Sequence, residues 1–530
     1  MNKQFKRAIA GLLMFAMVFS MVISLTGEAK AKKKKPKFST KKITVQVGKT
    51  KKLSAKNVKG YKLTWKIKNK KIAKLTKSSK TVYKVKGLKV GSTKVTCKLK
   101  KKKKTKKTLS CTIKVTKRIH KDTQDNSTPA PTMTPTPAPV TPATPTPTPM
   151  PPVTPIKDTY QPILGEMGNC VSLTQLQDPA ILAHVKTHYT SITLENEMKP
   201  EAVLKNDKLV TTTDAKKAPA DYVIPESYAE ETVPRLNFET VDAALKIAHE
   251  NNLKMRAHTL VWHSQTPEWF FKTGYKDNGT YVTKEVMDVR MEMFIRSVMN
   301  HVYTIENGKY KDTVYAWDVV NEYLHNNPGR NWSKVYGNRD GETGLGTKPP
   351  YVKKAFEIAY DMLKKFELTE KVTLFNNDYN TYVDPDSEVA LINYINEGEP
   401  EKICQGIGMQ SHIDYDYPSP EEYAAAIRKF AEAGFEIQIT EFDATINNKE
   451  GNYTWENQKR ADQADYVGRI MAAVLAEKKA GANITGFTIW GLYDTISWRK
   501  ESQPTLFKKS INDPKPSYYS FMEAAKNYQP

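Results

Sequence analysis

The sequence predicts an α/β protein: a (β/α)8 barrel, preceded by a small all-β sandwich and a linker rich in proline and threonine. Three observations carry this. In the C-terminal two-thirds of the chain, eight short apolar runs alternate with helix-period segments. Between residues 38 and 115, apolar side chains recur at every second position. The charge is also divided. The 530-residue chain carries +25 overall, yet residues 30–121 hold 36 Lys and Arg118 with no acid, while the part from Asp122 onward sums to −14. An average that describes neither part calls for two separate readings.

Residues 1–31 read as a secretory leader. Lys3, Lys6 and Arg7 form a basic start, Ala8 to Leu25 is almost wholly apolar, and Ala29-Lys30-Ala31 offers small residues at the cleavage spacing. Export is expected, to a secreted or cell-surface-associated product, and a single membrane anchor is the alternative.

Residues 38–117 follow as short strands. Ile43, Val45 and Val47 share one face, as do Leu63, Trp65 and Ile67, then Val82, and then Val95, Cys97 and Leu99. A hairpin centred near Lys104 would set Cys97 opposite Cys111, leaving a cross-strand disulfide or two reduced, packed thiols open. Cys170 and Cys404 read as buried thiols. The run Gly87-Leu88-Lys89-Val90-Gly91-Ser92-Thr93-Lys94-Val95-Thr96 resembles the late strands of bacterial immunoglobulin-like group 2 domains. So many lysines without counter-charge exceed what solubility needs, and self-repulsion costs stability. The expected partner is an anionic cell-wall or acidic glycan surface. Nucleic acid is not expected, because the chain reads as exported and no recognition fold appears.

Residues 122–157 form the linker. Thr128 to Pro155 holds 12 Pro and 9 Thr in 28 residues. Proline fixes φ and removes donors, so the segment is a semi-rigid polyproline II spacer.

Residues 158–530 carry the barrel pattern. The expected strands are Ile163 to Asn169, Ser191 to Asn196, Lys254 to His263, Val314 to Glu322, Val372 to Tyr379, Gly406 to Ile413, Glu436 to Asp443 and Gly486 to Asp494. One intervening helix is well marked, with Ser419 as N-cap, Pro420 in the first turn and Gly434 as its stop. Active sites of such barrels sit at the C-terminal strand ends. Here those ends bear Glu195-Asn196, His258, Asn321-Glu322, Asn377-Asp378-Tyr379, Gln410, His412, Glu441, Asp443 and Trp490. Carboxylates converging on one basin shift each other's pKa, as acid–base chemistry requires. No His-Glu-x-x-His helix, clustered Cys/His spacing or glycine-rich phosphate loop is present, so no metal and no cofactor is expected. What remains is two carboxylates acting on an uncharged substrate.

The segments His258-Thr259-Leu260-Val261-Trp262-His263-Ser264-Gln265-Thr266-Pro267, Trp317-Asp318-Val319-Val320-Asn321-Glu322 and Ile439-Thr440-Glu441-Phe442-Asp443 resemble glycoside hydrolase family 10. Supporting matches are Glu195-Asn196-Glu197-Met198-Lys199, Asn377-Asp378-Tyr379-Asn380, Gly408-Met409-Gln410-Ser411-His412 and Ser497-Trp498-Arg499. The resemblance implies a retaining endo-1,4-β-xylanase acting as a monomer on xylan or xylo-oligosaccharides. It makes Glu322 the acid/base and Glu441 the nucleophile, about 5–5.5 Å apart. His412, with Asp443 behind it, would keep Glu441 ionised, and Asn321 would hold the sugar 2-hydroxyl. Glu195, Asn196, Lys199, His258, Trp262, Gln265, Tyr379, Gln410, Trp490 and Trp498 complete the implied substrate-binding set.

Plainer readings stand beside these. Trp262 and Trp498 also read as core aromatics, and Glu197 as a scaffold carboxylate. His263 is open between core and site and stays outside the candidate set. A cellulase of similar barrel and a glycan-holding surface protein are the rival functions. The family pattern is broken after Lys199, where Pro200 opens an insertion of about 20 residues (with Tyr222 and Tyr228) toward Leu236-Asn237-Phe238. Following strand two, it is expected to reshape the glycone end of the cleft.

Overall fold

The computed structural model describes residues 35–116, less 39–41, 47–49, 78–79, 90 and 102–103, and residues 153–529, less 205–211, 215–217, 327–328, 342 and 447–456. These fall into two compact units, divided near residue 144. The expected leader and the linker up to residue 152 lie outside the described residues.

The first unit is a pair of four-stranded sheets. One orders Lys37–Phe38, Thr50–Lys56, Val82–Gly87 and Ala73–Lys77; the other orders Lys42–Gln46, Lys104–Thr116, Gly91–Lys101 and Lys62–Ile67. A single core draws on both, with Leu53, Ala73, Val85, Val95, Cys97, Leu99 and Ile113 fully buried. Two details differ from expectation. Val85 rather than Val82 points into the core, since the strand starts one residue out of the assumed phase. The long hairpin closes at Lys101↔Lys104, and a bulge at Leu99/Lys100 sets Cys97 against Leu109 and Val95 against Cys111. The two cysteines therefore share a face but sit diagonally, and both are free thiols, as are Cys170 and Cys404. Burial pushes the thiols of Cys97 and Cys111 up to about 11.

The second unit is a closed barrel of eight parallel strands: β1 Glu166–Val171, β2 Ser191–Leu194, β3 Lys254–Trp262, β4 Val314–Asn321, β5 Thr373–Asp378, β6 Gly406–Met409, β7 Glu436–Thr445 and β8 Ile484–Ile489. β8 returns to pair with β1 through Gly486↔Glu166, which leaves no free edge. After a break at Gln410-Ser411, His412–Asp414 resumes beside β7, with His412 opposite Asp443.

Local chemistry starts the outer helices. Pro occupies the first helical position in Pro179–His188, Pro350–Lys365, Pro385–Asn396, Pro420–Glu432 and Pro516–Lys526, where its missing N–H costs nothing. Ser419 and Glu422 form a reciprocal capping box, and Gly434 at φ 73° follows the helix end as expected.

β1 begins later than the apolar pattern suggested. Ile163 and Leu164 end a helix, Ile156–Leu164, whose Ile156, Tyr160 and Leu164 are buried. Gly165, at φ 79°, makes the turn into β1, and a Cβ there would lie 2.4 Å from the Thr485 carbonyl oxygen. β8 ends sooner, because Gly491 at φ 120° turns the chain out of the sheet.

The insertion after β2 is also corrected in its described part. Residues 218–234 anchor on the helix Lys284–Gly308: Val223 N donates to Ser297 Oγ at 3.0 Å, Asn300 Nδ2 to the Asp221 carbonyl at 2.9 Å, and Arg290 pairs with Glu230 at 2.5 Å. Tyr228 bonds Tyr275, and Tyr222 takes the Leu236 N–H. These ties bind the segment to the outer helical wall, so its two tyrosines do not serve the cleft.

Candidate active site

The C-terminal strand ends surround a cavity of about 460 Å³. Glu195, Asn196, Lys199, His258, Trp262, Gln265, Asn321, Glu322, Tyr379, Gln410, His412, Glu441, Trp490 and Trp498 all line it, joined by Asn380 and Arg499. Of the residues expected from sequence, only Asp443 stands back, fully buried behind His412.

Glu322 follows the last residue of β4 with φ 60°, a left-handed conformation that costs a side-chain-bearing residue roughly 1–2 kcal/mol. Its backbone N–H is held by the Asn377 carbonyl at 2.8 Å. The carboxylate accepts from Trp262 Nε1 at 2.9 Å and Gln410 Nε2 at 3.1 Å, and His263 Nε2 lies 3.7 Å away. Burial is the main reason that its pKa is raised, with the negative charges of Asp378 and Glu441 adding to it. The Trp262 and Gln410 hydrogen bonds oppose the rise without cancelling it.

Glu441 lies within β7 and is 5% exposed. Burial alone would raise its pKa too, but the hydrogen bond from His412, the charges of His258 and His412, and Lys199 outweigh it and bring the carboxyl down to about 2. Asn377 Nδ2 donates to Oε1 at 2.8 Å and His412 Nε2 meets Oε2 at 3.0 Å. The imidazole's Nδ1 is 3.1 Å from Asp443 Oδ2. Burial disfavours its charge, yet the two carboxylates raise its pKa to about 9, so it is an imidazolium at neutral pH. Asp443 is itself held by Arg499 Nη1 at 2.6 Å and Trp498 Nε1 at 3.0 Å.

Amides knit the two carboxylates together. The Asn321 amide lies 2.9 Å from Asn377 Nδ2 and 3.0 Å from Gln410 Nε2. Thus Gln410 touches Glu322, Asn377 touches Glu441, and Asn321 touches both amides. His258 is fixed by Asp318 (2.9 Å), whose other oxygen pairs with the fully buried Arg256. Beside Glu322, the Lys199 ammonium sits 4.9 Å over the Trp262 ring, and Gln265 donates to Asn196 at 3.1 Å. Burial raises the pKa of Glu195 against the pull of Lys199. On the other flank the Tyr379 ring stacks on His325 at 3.9 Å.

These contacts settle the plainer readings. Trp498 is 57% exposed at the cavity mouth and Trp262 is half-buried against Glu322, so neither is a core aromatic. Glu197 accepts the Leu173 and Asn196 N–H groups and is a scaffold carboxylate. His263 is buried, its Nδ1 unpartnered and its other nitrogen near Glu322, with its pKa lowered to about 4 by burial and Arg330. Asn377, Asp318 and Arg499 stood outside the candidate set expected from sequence, although each lies in a quoted motif, and Asn377 was named among the polar strand-end residues without a role.

One carboxyl raised and one lowered, in the same polar cleft of a parallel barrel, are the equipment of a glycoside hydrolase. The model of glycosyl hydrolase family 10 matches residues 156–524, and the chain belongs to that family. It is 42% identical over 372 residues to endo-1,4-β-xylanase A of Butyrivibrio fibrisolvens, covering 70% of this chain and 84% of the relative. With the bifunctional endo-1,4-β-xylanase XylA of Ruminococcus flavefaciens it shares 32% identity over 68% of this chain, but it spans only 33% of that protein. Among solved structures, the CBM22-1–GH10 modules of Clostridium thermocellum xylanase 10B with xylohexaose give a TM-score of 0.56 at 27% identity, covering 72% of this chain and 70% of that one. An endo-1,4-β-xylanase from Caldicellulosiruptor owensensis gives 0.53 at 27% identity, covering 70% and 99%.

Proposed function

We propose that the barrel is a retaining endo-1,4-β-xylanase. The observation that carries this is the pair Glu322 and Glu441 lining one cavity and linked through Gln410, Asn321 and Asn377, with their pKa values displaced in opposite directions. Glu441, ionised, attacks the anomeric carbon while Glu322 gives its proton to the departing glycosidic oxygen, and a glycosyl ester forms on Glu441. In the second step Glu322, now a carboxylate, takes a proton from water as the water oxygen attacks the same carbon and Glu441 leaves. Two inversions at one carbon return the starting configuration.

The surroundings suit both halves. The His412 imidazolium between Glu441 and Asp443 stabilises the nucleophile before attack, and Asp443 still balances that charge once Glu441 has become a neutral ester. Asn321, held by two amides, is the donor we assign to the sugar 2-hydroxyl. Lys199, His258, Trp262, Gln265 and Trp490 offer polar and aromatic contacts for the glycone side. Xylan as the substrate is supported by the relatives, which are endo-1,4-β-xylanases.

Reducing-sugar release from xylan by the wild type, Glu322→Ala and Glu441→Ala tests the reading. Undiminished release by Glu441→Ala would sink the mechanism, and equal release from cellulose would redirect the substrate. We also infer export by the leader. The secreted protein should then begin at Lys32, and a start at Met1 would contradict this.

A further inference from the structure

We propose that the lysine-rich sandwich holds a binding trough of its own for an acidic, carboxylate-bearing polysaccharide. The trough follows from how the sandwich ends. The strands Lys62–Ile67 and Ala73–Lys77 are the edges of the two sheets. In the first of them Leu63, Trp65 and Ile67 are only half-buried, although their cross-strand partners Leu99, Cys97 and Val95 are fully buried. The core is thus left open along this side.

Aromatic rings floor the opening. Trp65 stacks on Tyr83 with centroids 4.5 Å apart and planes at 23°, and the Trp65 Nε1 is a donor with no partner. Two cavities, of about 730 and 750 Å³, share Tyr83. The first is rimmed by Lys66, Lys70 and Lys74, the second by Lys59, Lys62 and Lys80, and Tyr61 extends the aromatic floor into the second. Two cavities meeting at Tyr83, each with its own lysine rim, suit a polymer rather than a small molecule.

Charge complementarity selects the ligand. Residues 30–121 contain no Asp or Glu, so these ammonium groups have no acidic partner within that stretch. An apolar opening of this kind marks an interaction site. Ring faces meet the C–H faces of sugars, and lysine reaches carboxylates as a mobile point charge. Stacked aromatics with lysines also suit single-stranded nucleic acid. The same chain carries a glycoside hydrolase barrel, however, which favours a glycan. The proposal rests on family membership and not on the choice of xylan as substrate.

Affinity electrophoresis of the full chain through gels containing polygalacturonate tests it, since that polymer is not the proposed substrate of the barrel. Retardation is expected at low salt, weakening as salt rises. Trp65→Ala and the exposed triple variant Lys66→Ala/Lys70→Ala/Lys74→Ala should each bind at least ~10-fold more weakly, with xylan hydrolysis unchanged. The triple variant alters only solvent-facing side chains, so it reads the trough even if Trp65→Ala disturbs the fold. No retardation of the wild type, or wild-type binding by the triple variant, would overturn the proposal. So would equal affinity for neutral galactan, for polyglutamate or for oligo-dT, which would mean stacking alone, charge alone or nucleic acid.

Discussion

In the sandwich no described lysine is buried and residues 30–121 contain no acid to pair with one, whereas the barrel buries its decisive charges in pairs. Glu441, His412 and Asp443 lie in one hydrogen-bonded row, and Glu322 is shielded behind Trp262 and Gln410. Exposed charge leaves each group near its ordinary chemistry and acts only by summed attraction. Buried charge makes neighbours decide one another's protonation, and two carboxyls of the same residue type diverge. Net charge therefore bears on the anionic partner proposed for the sandwich, and burial on the chemistry of the barrel.

The sharpest way to break the comparison is to remove the buried pair. Glu441→Gln should lower kcat at least ~10⁴-fold on any substrate. Glu322→Gln should cost roughly 10²–10⁴-fold on xylan and much less on an aryl glycoside whose leaving group needs no proton. Equal losses on both substrates would dissolve the division of roles.

His412→Gln is next. It removes the cation that keeps Glu441 near 2, so the acid limb of kcat/KM should move to higher pH. The same change has a stability signature. A histidine raised from 6.5 to about 9 contributes stability fully below about 6.5, and that contribution fades as pH rises through about 9. Wild-type Tm should fall across that window, and the variant should lose the fall. A parallel decline in both proteins would contradict the ion-pair assignment.

A smaller effect is expected from Trp262→Phe. Its indole N–H favours the ionised form of Glu322, so losing it should raise that pKa and carry the alkaline limb of kcat/KM upward. An unmoved limb would mean that Trp262 acts by stacking alone. In the sandwich, where the thiols are free and diagonal, the mass of the folded protein should not change on reduction.

Much of this was legible in the sequence because burial on both faces writes strands as short apolar runs, and polar residues interrupt them only where the site needs them. The eight runs and the strand-end residues were readable for that reason. The start of β1 was not, because Ile163 and Leu164 are as apolar as a strand and only the conformation of Gly165 divides helix from sheet. The roles of Asn377, Asp318 and Arg499 were not, since an amide donor, a supporting carboxylate or an anchoring arginine acquires its role from a neighbouring strand, which spacing along one chain does not encode. In the hairpin, repeated lysines give no landmark for register, so the bulge at Leu99/Lys100 was invisible.

The central claim is that Glu441 forms the bond to sugar while Glu322 carries the proton. Peptide mapping by mass spectrometry, after reaction with a 2-deoxy-2-fluoro xylobioside bearing an activated leaving group, tests it most directly. The account predicts one adduct, on the peptide containing Glu441, and its absence in Glu441→Gln. An adduct on Glu322, or turnover with no adduct and an inverted product, would contradict it.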